Sequence, residues 1–165
     1  LLDKNKQGAK IMASTLLEAV EDISRCKRCR MLTSNDFCRV CSDLSRDDKS
    51  ICVVESPSDV LAIESTGGYK GKYFVLLGRL SPIEGVGPED LGIEELLVII
   101  ESEGIEELIL ATSSTVEGDA TGMYIKDHIP DIKVSRISYG IPIGGELEYV
   151  DSNTIAQAIQ GRTEV

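Results

Sequence analysis

The sequence predicts an α/β domain in which a mostly parallel sheet is flanked by helices and preceded by a helix and a small four-cysteine module. Three observations predict it. From residue 51 onward, short apolar runs rich in β-branched residues alternate with helical patterns, the signature of parallel strands joined by crossover helices. Four of the five cysteines form Cys26-x-x-Cys29 and Cys38-x-x-Cys41, with eight residues between the pairs. Carboxylates recur where strands run into helices, first at Glu55 and Asp59, then at Glu117 and Asp119.

The totals narrow the class. At 165 residues, 42% hydrophobic, 4% aromatic and without Trp, the chain can bury one aliphatic core of ordinary domain size. No stretch approaches the eighteen or more apolar residues of a membrane span, and no secretory signal pattern precedes the fold. The opening Leu1-Leu2-Asp3-Lys4 lacks an initiator Met, which suggests a piece excised from a longer protein. The net charge of −11 is uneven: residues 1–50 hold 10 Lys/Arg against 8 Asp/Glu, and residues 51–165 hold 7 against 20. An acidic body repels phosphate backbones. Only the segment carrying Arg25, Lys27, Arg28, Arg30 and Arg39 can face DNA, and the same residues serve equally as a rim offsetting metal-bound thiolates.

The elements follow in order. Gln7 to about Arg25 reads as an amphipathic helix, with Ile11, Met12, Leu16, Val20 and Ile23 on one stripe, expected to dock on the cysteine module or a neighbouring subunit. Residues 26–50 form the module. Paired thiolates two residues apart grip one side of a tetrahedral ion, and two such knuckles complete a four-sulfur shell. The loop between them is short, rich in charged and turn-forming residues, and has Phe37 as its one aromatic anchor, so an ion is expected to hold it together. Structural Zn²⁺ supplies roughly 10–16 kcal/mol in peptide hosts. The rival reading, two disulfides, requires a secreted chain. Four thiolates leave no open position for water, which argues against catalytic zinc. Cys52 lies within a strand as a small buried hydrophobe.

Ile51–Val54 is a short buried strand, followed by Ser56 as N-cap, Pro57 at the first helical position and a helix to about Thr66. Gly67-Gly68 ends it, and Tyr73–Leu77 is the second strand. Gly78–Pro88, with three glycines and two prolines, is a shaped loop. A helix spans Leu91 to about Ser102, a third strand Glu107–Ala111, a loop Thr112–Asp119, a helix Ala120 to about Asp127 and a fourth strand Lys133–Ile137. A glycine-rich loop over 140–145 leads to a last helix capped by Asp151 or Ser152 and closed by Gly161. The divisions expected are 1–25, 26–50, 51–140 and 141–165.

The C-terminal ends of parallel strands share one edge, so the loops carrying Glu55, Asp59, Glu117 and Asp119 converge there. Clustered carboxylates are what Mg²⁺ requires, and Mg²⁺ suits phosphate chemistry. The same acids also have plain uses: Asp59 as a capping-box acid, Asp119 against a helix dipole, Glu117 merely solvated. His128, the sole histidine, ends a helix with no Ser or Cys partner legible, and Tyr73 and Tyr124 sit at strand and helix positions.

Glu55-Ser-Pro-Ser-Asp59 with the later Glu117-Gly-Asp119 resembles the Toprim fold of topoisomerases, primases and related nucleases, in which such acids surround Mg²⁺. The order of features resembles the bacterial RecR recombination mediators more closely. The matching pieces are the four-cysteine motif, Ile51–Asp59, Leu80-Ser-Pro-Ile-Glu-Gly-Val-Gly-Pro88, Thr115–Thr121 and Gly140-Ile-Pro-Ile-Gly-Gly-Glu-Leu-Glu148, spanning essentially the whole chain. The resemblance implies a Toprim-like sheet after a four-cysteine zinc finger. It also implies that residues 1–25 are the remnant of a helix-hairpin-helix region that carries most of the DNA contact. The implied role is non-enzymatic and cytoplasmic, at the bacterial nucleoid: a homo-oligomer that joins RecO, and in some bacteria RecF, to load recombinase on single-stranded DNA. The acidic edge is then a partner-binding surface or a vestigial Mg²⁺ site. Here the second motif is Glu-Gly-Asp rather than Asp-x-Asp, one ligand a carbon longer. The alternative is a Mg²⁺-dependent phosphodiesterase or nuclease with Glu55 as acid/base and Glu117 and Asp119 holding the ion.

Overall fold

In the computed structural model, which describes residues 3–129, 131–138 and 140–163, four strands form one parallel sheet. They are β3 (Ser50–Val54), β4 (Lys72–Val75), β5 (Glu107–Ala111) and β6 (Lys133–Arg136), in spatial order β4-β3-β5-β6. Ahead of them come α1 (Lys6–Asp22), a two-stranded antiparallel ribbon of β1 (Ser24–Arg25) and β2 (Leu32–Thr33), and the single turn α2 (Arg39–Ser42). The crossovers are α3 (Pro57–Thr66), α4 (Ile93–Glu103) and α5 (Val116–Asp127). A 3₁₀ turn (Leu147–Tyr149) and α6 (Ser152–Gln160) follow the sheet.

Central β3 is buried throughout, because both faces of the sheet are covered and its side chains alternate between them. Ile51 and Val53 join Phe74, Leu108 and Leu110 in the larger core, closed by Leu96 of α4 and Ile125 of α5. Cys52 and Val54 face the other way, with Tyr73, Val75 and Val60 of α3. Burial pushes the Cys52 thiol up to about 12, so it packs as the neutral hydrophobe expected.

The first crossover forms as its sequence dictates. Ser56 accepts from the Asp59 amide while Asp59 Oδ2 accepts from the Ser56 amide at 2.8 Å, a complete capping box with Pro57 inside it. Two boundaries differ from expectation. The second strand ends at Val75, because Leu77 turns to φ 66° on entering the long loop. The α5 helix begins at Val116, not Ala120: the Thr115 side chain accepts from the Gly118 amide at 3.1 Å, which makes Thr115, the last of four consecutive hydroxyl residues, the N-cap. Glu117 and Asp119 therefore sit in the first turn of a helix.

The α1 stripe does not dock on the cysteine module. Ile11, Met12, Leu16 and Val20 are 54–80% exposed, and α1 has no buried residue. Phe37 is half exposed as well. Among the described residues, no helix is long and apolar enough to cross a membrane.

Candidate metal centre and acidic sheet edge

The cysteine module is built on its own backbone. The Cys26 amide donates to the Met31 carbonyl at 2.7 Å, the Arg30 amide to the Cys26 carbonyl at 3.0 Å, and the Cys38 amide to Cys26 Sγ at 3.3 Å. These bonds close the first knuckle, and Arg30 takes the left-handed conformation (φ 66°) that the turn requires. The four sulfurs lie within 4.8 Å of one another. A tetrahedral ion about 2.3 Å from each sulfur would set them about 3.8 Å apart, so the set fits one ion. All four cysteines are free, with the Cys29 and Cys38 sulfurs 3.4 Å apart, well beyond the S–S bond length of about 2.05 Å. Hydrogen bonding from Cys29 holds the Cys38 thiol well below its ordinary value. The same close contacts, with burial, push the Cys29 and Cys41 thiols up, as expected of sulfurs crowded together.

The module is fused to the sheet. The Val75 amide of β4 donates to the Cys29 carbonyl at 3.0 Å, while Met31 and Val40 pack on the Cys52–Tyr73 face. Lys72, 3% exposed, donates to the carbonyls of Cys41 (2.9 Å) and Asp43 (3.2 Å). The module therefore covers the edge of β4 that would otherwise offer unpaired backbone groups.

The basic residues of this region are placed as follows. Arg28 makes a forked pair with Glu103 of α4 at 2.6–3.0 Å, its side chain only 10% exposed. Arg30 crosses Phe74 at 5.7 Å and donates to the carbonyls of Leu76 and Leu91. Its guanidinium fills the space a side chain at position 92 would need, and Gly92 (φ 66°) meets both demands. Lys27 pairs with Asp36 at 2.8 Å in the open. Arg25 donates to the Arg30 carbonyl at 3.2 Å, and Arg39 is exposed. Arg28 and Arg30 thus spend their charge inside the protein.

The four acids stand at the C-terminal edge of the sheet, each engaged differently. Glu55 Oε1 accepts from the Ser113 amide (2.7 Å) and hydroxyl (2.8 Å), and Oε2 faces Arg79 at 3.5 Å. Asp59 is the capping-box acid. Asp119 pairs with Arg136 at 2.6 Å, and Arg136 also donates to Thr112 Oγ1 and to the Ser113 carbonyl. Glu117 is half-buried in the first turn of α5. Gly118 makes the arrangement feasible: a Cβ there would fall on the Ser113 carbonyl and within 3.0 Å of Glu55 Oε1. Among the described residues, the cysteines alone bring three or more potential ligand atoms this close together.

Sequence reasoning missed Ser113, Arg79 and Arg136. The shaped loop after β4 is pinned by the Ser81–Val86 bridge and by a 2.9 Å bond from the Leu80 amide to Thr121 Oγ1, which sets Arg79 beside Glu55. Arg136 carried a legible signal, being a cation at the C-terminal end of a parallel strand, on the edge assigned to the acids.

Comparison with known proteins agrees with this geometry. Residues 49–138 match the Toprim domain family, and residues 140–163 match the family described as RecR, C-terminal. The chain is 49% identical over 167 residues to a protein of Saccharophagus degradans named Recombination protein RecR, covering 100% of this chain and 85% of the relative. Proteins of the same name from Francisella tularensis subsp. novicida and Hahella chejuensis are each 48% identical. They cover 100% and 98% of this chain, and 83% and 82% of their own lengths. With a metal-fitting cysteine set fused to a Toprim sheet and near-half identity along its whole length, the chain belongs to the RecR family of DNA recombination and repair proteins.

Proposed function

We propose that the protein is a non-enzymatic recombination mediator that works with RecO, and with RecF where present, to load recombinase onto single-stranded DNA. The observation that carries this reading is the whole-chain likeness to proteins named Recombination protein RecR. The state of the acidic edge supports it: Glu55 and Asp119, which a Toprim nuclease would turn toward an ion, are held by Ser113, Arg79 and Arg136.

In this reading the ion at Cys26, Cys29, Cys38 and Cys41 is structural Zn²⁺, matched to four thiolates with no open coordination position. The sheet edge is a docking surface. Glu55, 14% exposed, and Asp59 build it from beneath, while Asp119, 48% exposed, and Glu117 present its charge. Homo-oligomers are supported by the uncovered apolar stripe of α1. DNA contact within this chain is assigned to Lys27, Arg25 and Arg39, the basic residues of the module left at its surface.

The test is a recombinase-loading assay on single-stranded DNA coated with its binding protein, run beside a cleavage assay on labelled DNA with Mg²⁺ or Mn²⁺. Stimulated loading with intact DNA is the expected result. Metal-dependent cleavage that vanishes in Glu55→Gln would replace this reading with the nuclease.

A further inference from the structure

The Toprim fold brings with it the expectation of a divalent cation among its acids, and the residues present do not fit one. A hard cation such as Mg²⁺ needs carboxylate oxygens turned toward a common point, with room for its waters. Here both oxygens of Glu55 are directed to donors of the protein itself: Oε1 to Ser113 N and Oγ, and Oε2 to the Arg79 guanidinium. Asp59 Oδ2 is committed to the Ser56 amide at the start of α3. Asp119 Oδ1 lies 2.6 Å from Arg136 Nη1, and Arg136 is anchored by Thr112 Oγ1 at 2.9 Å.

We infer that Arg79 and Arg136 are built-in counter-cations of the Toprim edge, standing in the electrostatic place of a divalent ion and excluding it. Two elements unrelated in sequence each deliver one guanidinium to one acid: the loop after β4 brings Arg79 to Glu55, and the end of β6 brings Arg136 to Asp119. Each guanidinium lowers the local negative potential that would recruit a divalent ion, and a cation arriving at the edge would have to displace it. The close approach of Gly118 to Ser113 keeps Glu55 seated on its donors. The edge is thereby a surface of paired charges, available to macromolecules and closed to metal.

This inference rests on the fold and the ion pairs, not on the mediator reading, and it is tested separately. Zinc-loaded protein is titrated with Mn²⁺ and bound ion followed by electron paramagnetic resonance, for wild type, Glu55→Gln, and Arg79→Ala/Arg136→Ala, each verified as folded by circular dichroism. Wild type is expected to take up no stoichiometric Mn²⁺ at millimolar concentration. The double arginine variant is expected to gain a site at least tenfold tighter than any in wild type. One Mn²⁺ per wild-type chain, lost in Glu55→Gln, would overturn the inference. A folded double variant as unreceptive as wild type would overturn the role given to the arginines. Recombinase loading is unaffected by either outcome and continues to report on the mediator reading alone.

Discussion

Val75 of the edge strand β4 donates its backbone N–H to the carbonyl of Cys29 at 3.0 Å, so the last buried strand position is hydrogen-bonded to the first knuckle of the candidate metal centre. The cysteine module and the Toprim sheet are in this sense one cooperative structure, and the free energy of metal binding is felt in the sheet.

Removal of the ion should therefore expose β4. Chelation is expected to erase hydrogen-exchange protection at the Val75 amide and weaken it along Tyr73–Val75, while β5 (Glu107–Ala111), paired on both sides by β3 and β6, retains most of its own. Unchanged exchange at Val75 in metal-depleted protein would show that the module is an independent appendage.

Arg28 is the second tie between the module and the sheet's helices. Its side chain is nearly buried against Glu103. Arg28→Ala leaves Glu103 uncompensated and is expected to cost about 2–3 kcal/mol, below the roughly 3–5 of a fully buried pair. It should also release zinc to chelator faster than wild type, whereas Arg28→Lys, lacking the planar fork, should restore only part of the stability. Chemical denaturation and zinc-release kinetics read the two effects.

The Arg46–Glu64–Tyr73 group predicts a pH dependence. Burial alone would push the Glu64 carboxyl up, but the hydrogen bonds from Arg46 and from the Tyr73 hydroxyl (2.7 Å) outweigh it and hold the carboxyl below its ordinary range. A carboxyl depressed in the folded state stabilises the fold above its unfolded value, and that stability is lost as pH falls through the depressed value. Glu64→Gln should cost about 1–2 kcal/mol at neutral pH, a fall in Tm of roughly 3–6 °C. The gap in Tm between the two proteins should begin to close as pH falls below the ordinary carboxylate range and vanish only below the depressed folded value.

Gly118 predicts a steric effect. Adding one methyl drives into the Ser113 backbone and crowds Glu55, so Gly118→Ala is expected to destabilise by about 1–3 kcal/mol despite alanine's better helix propensity. Stability equal to wild type would mean that Ser113 and Glu55 are not locked together as described.

What is legible in the sequence is local. Val53 and Val54 mark their strand because β-branched runs tolerate little else, and Ser56-Pro57 marks a helix start because capping is a three-residue interaction. The cysteine set is legible from spacing alone. What is hidden depends on distant partners. Nothing near Arg30 in sequence says that it will cross Phe74 and cap the carbonyl of Leu91, or that Arg28 will find Glu103 seventy-five residues away. The acids stand at the sheet edge where the pattern places them. Their pairing with Arg79 and Arg136 is not legible, since loop shape and strand register decide it. The α1 stripe reads as apolar, but its pattern does not say what covers it, and within the described residues nothing buries it.

On the reading proposed above, the acidic edge binds a partner rather than turning over a substrate. It is tested most directly by the affinity of RecO for the zinc-loaded protein, measured for wild type and for Glu117→Ala/Asp119→Ala, the two acids presented by α5. A weakening of about tenfold or more, ~1.4 kcal/mol, that diminishes as salt is raised, is the expected result. An affinity indistinguishable from wild type, in a variant with unchanged Tm, would contradict it.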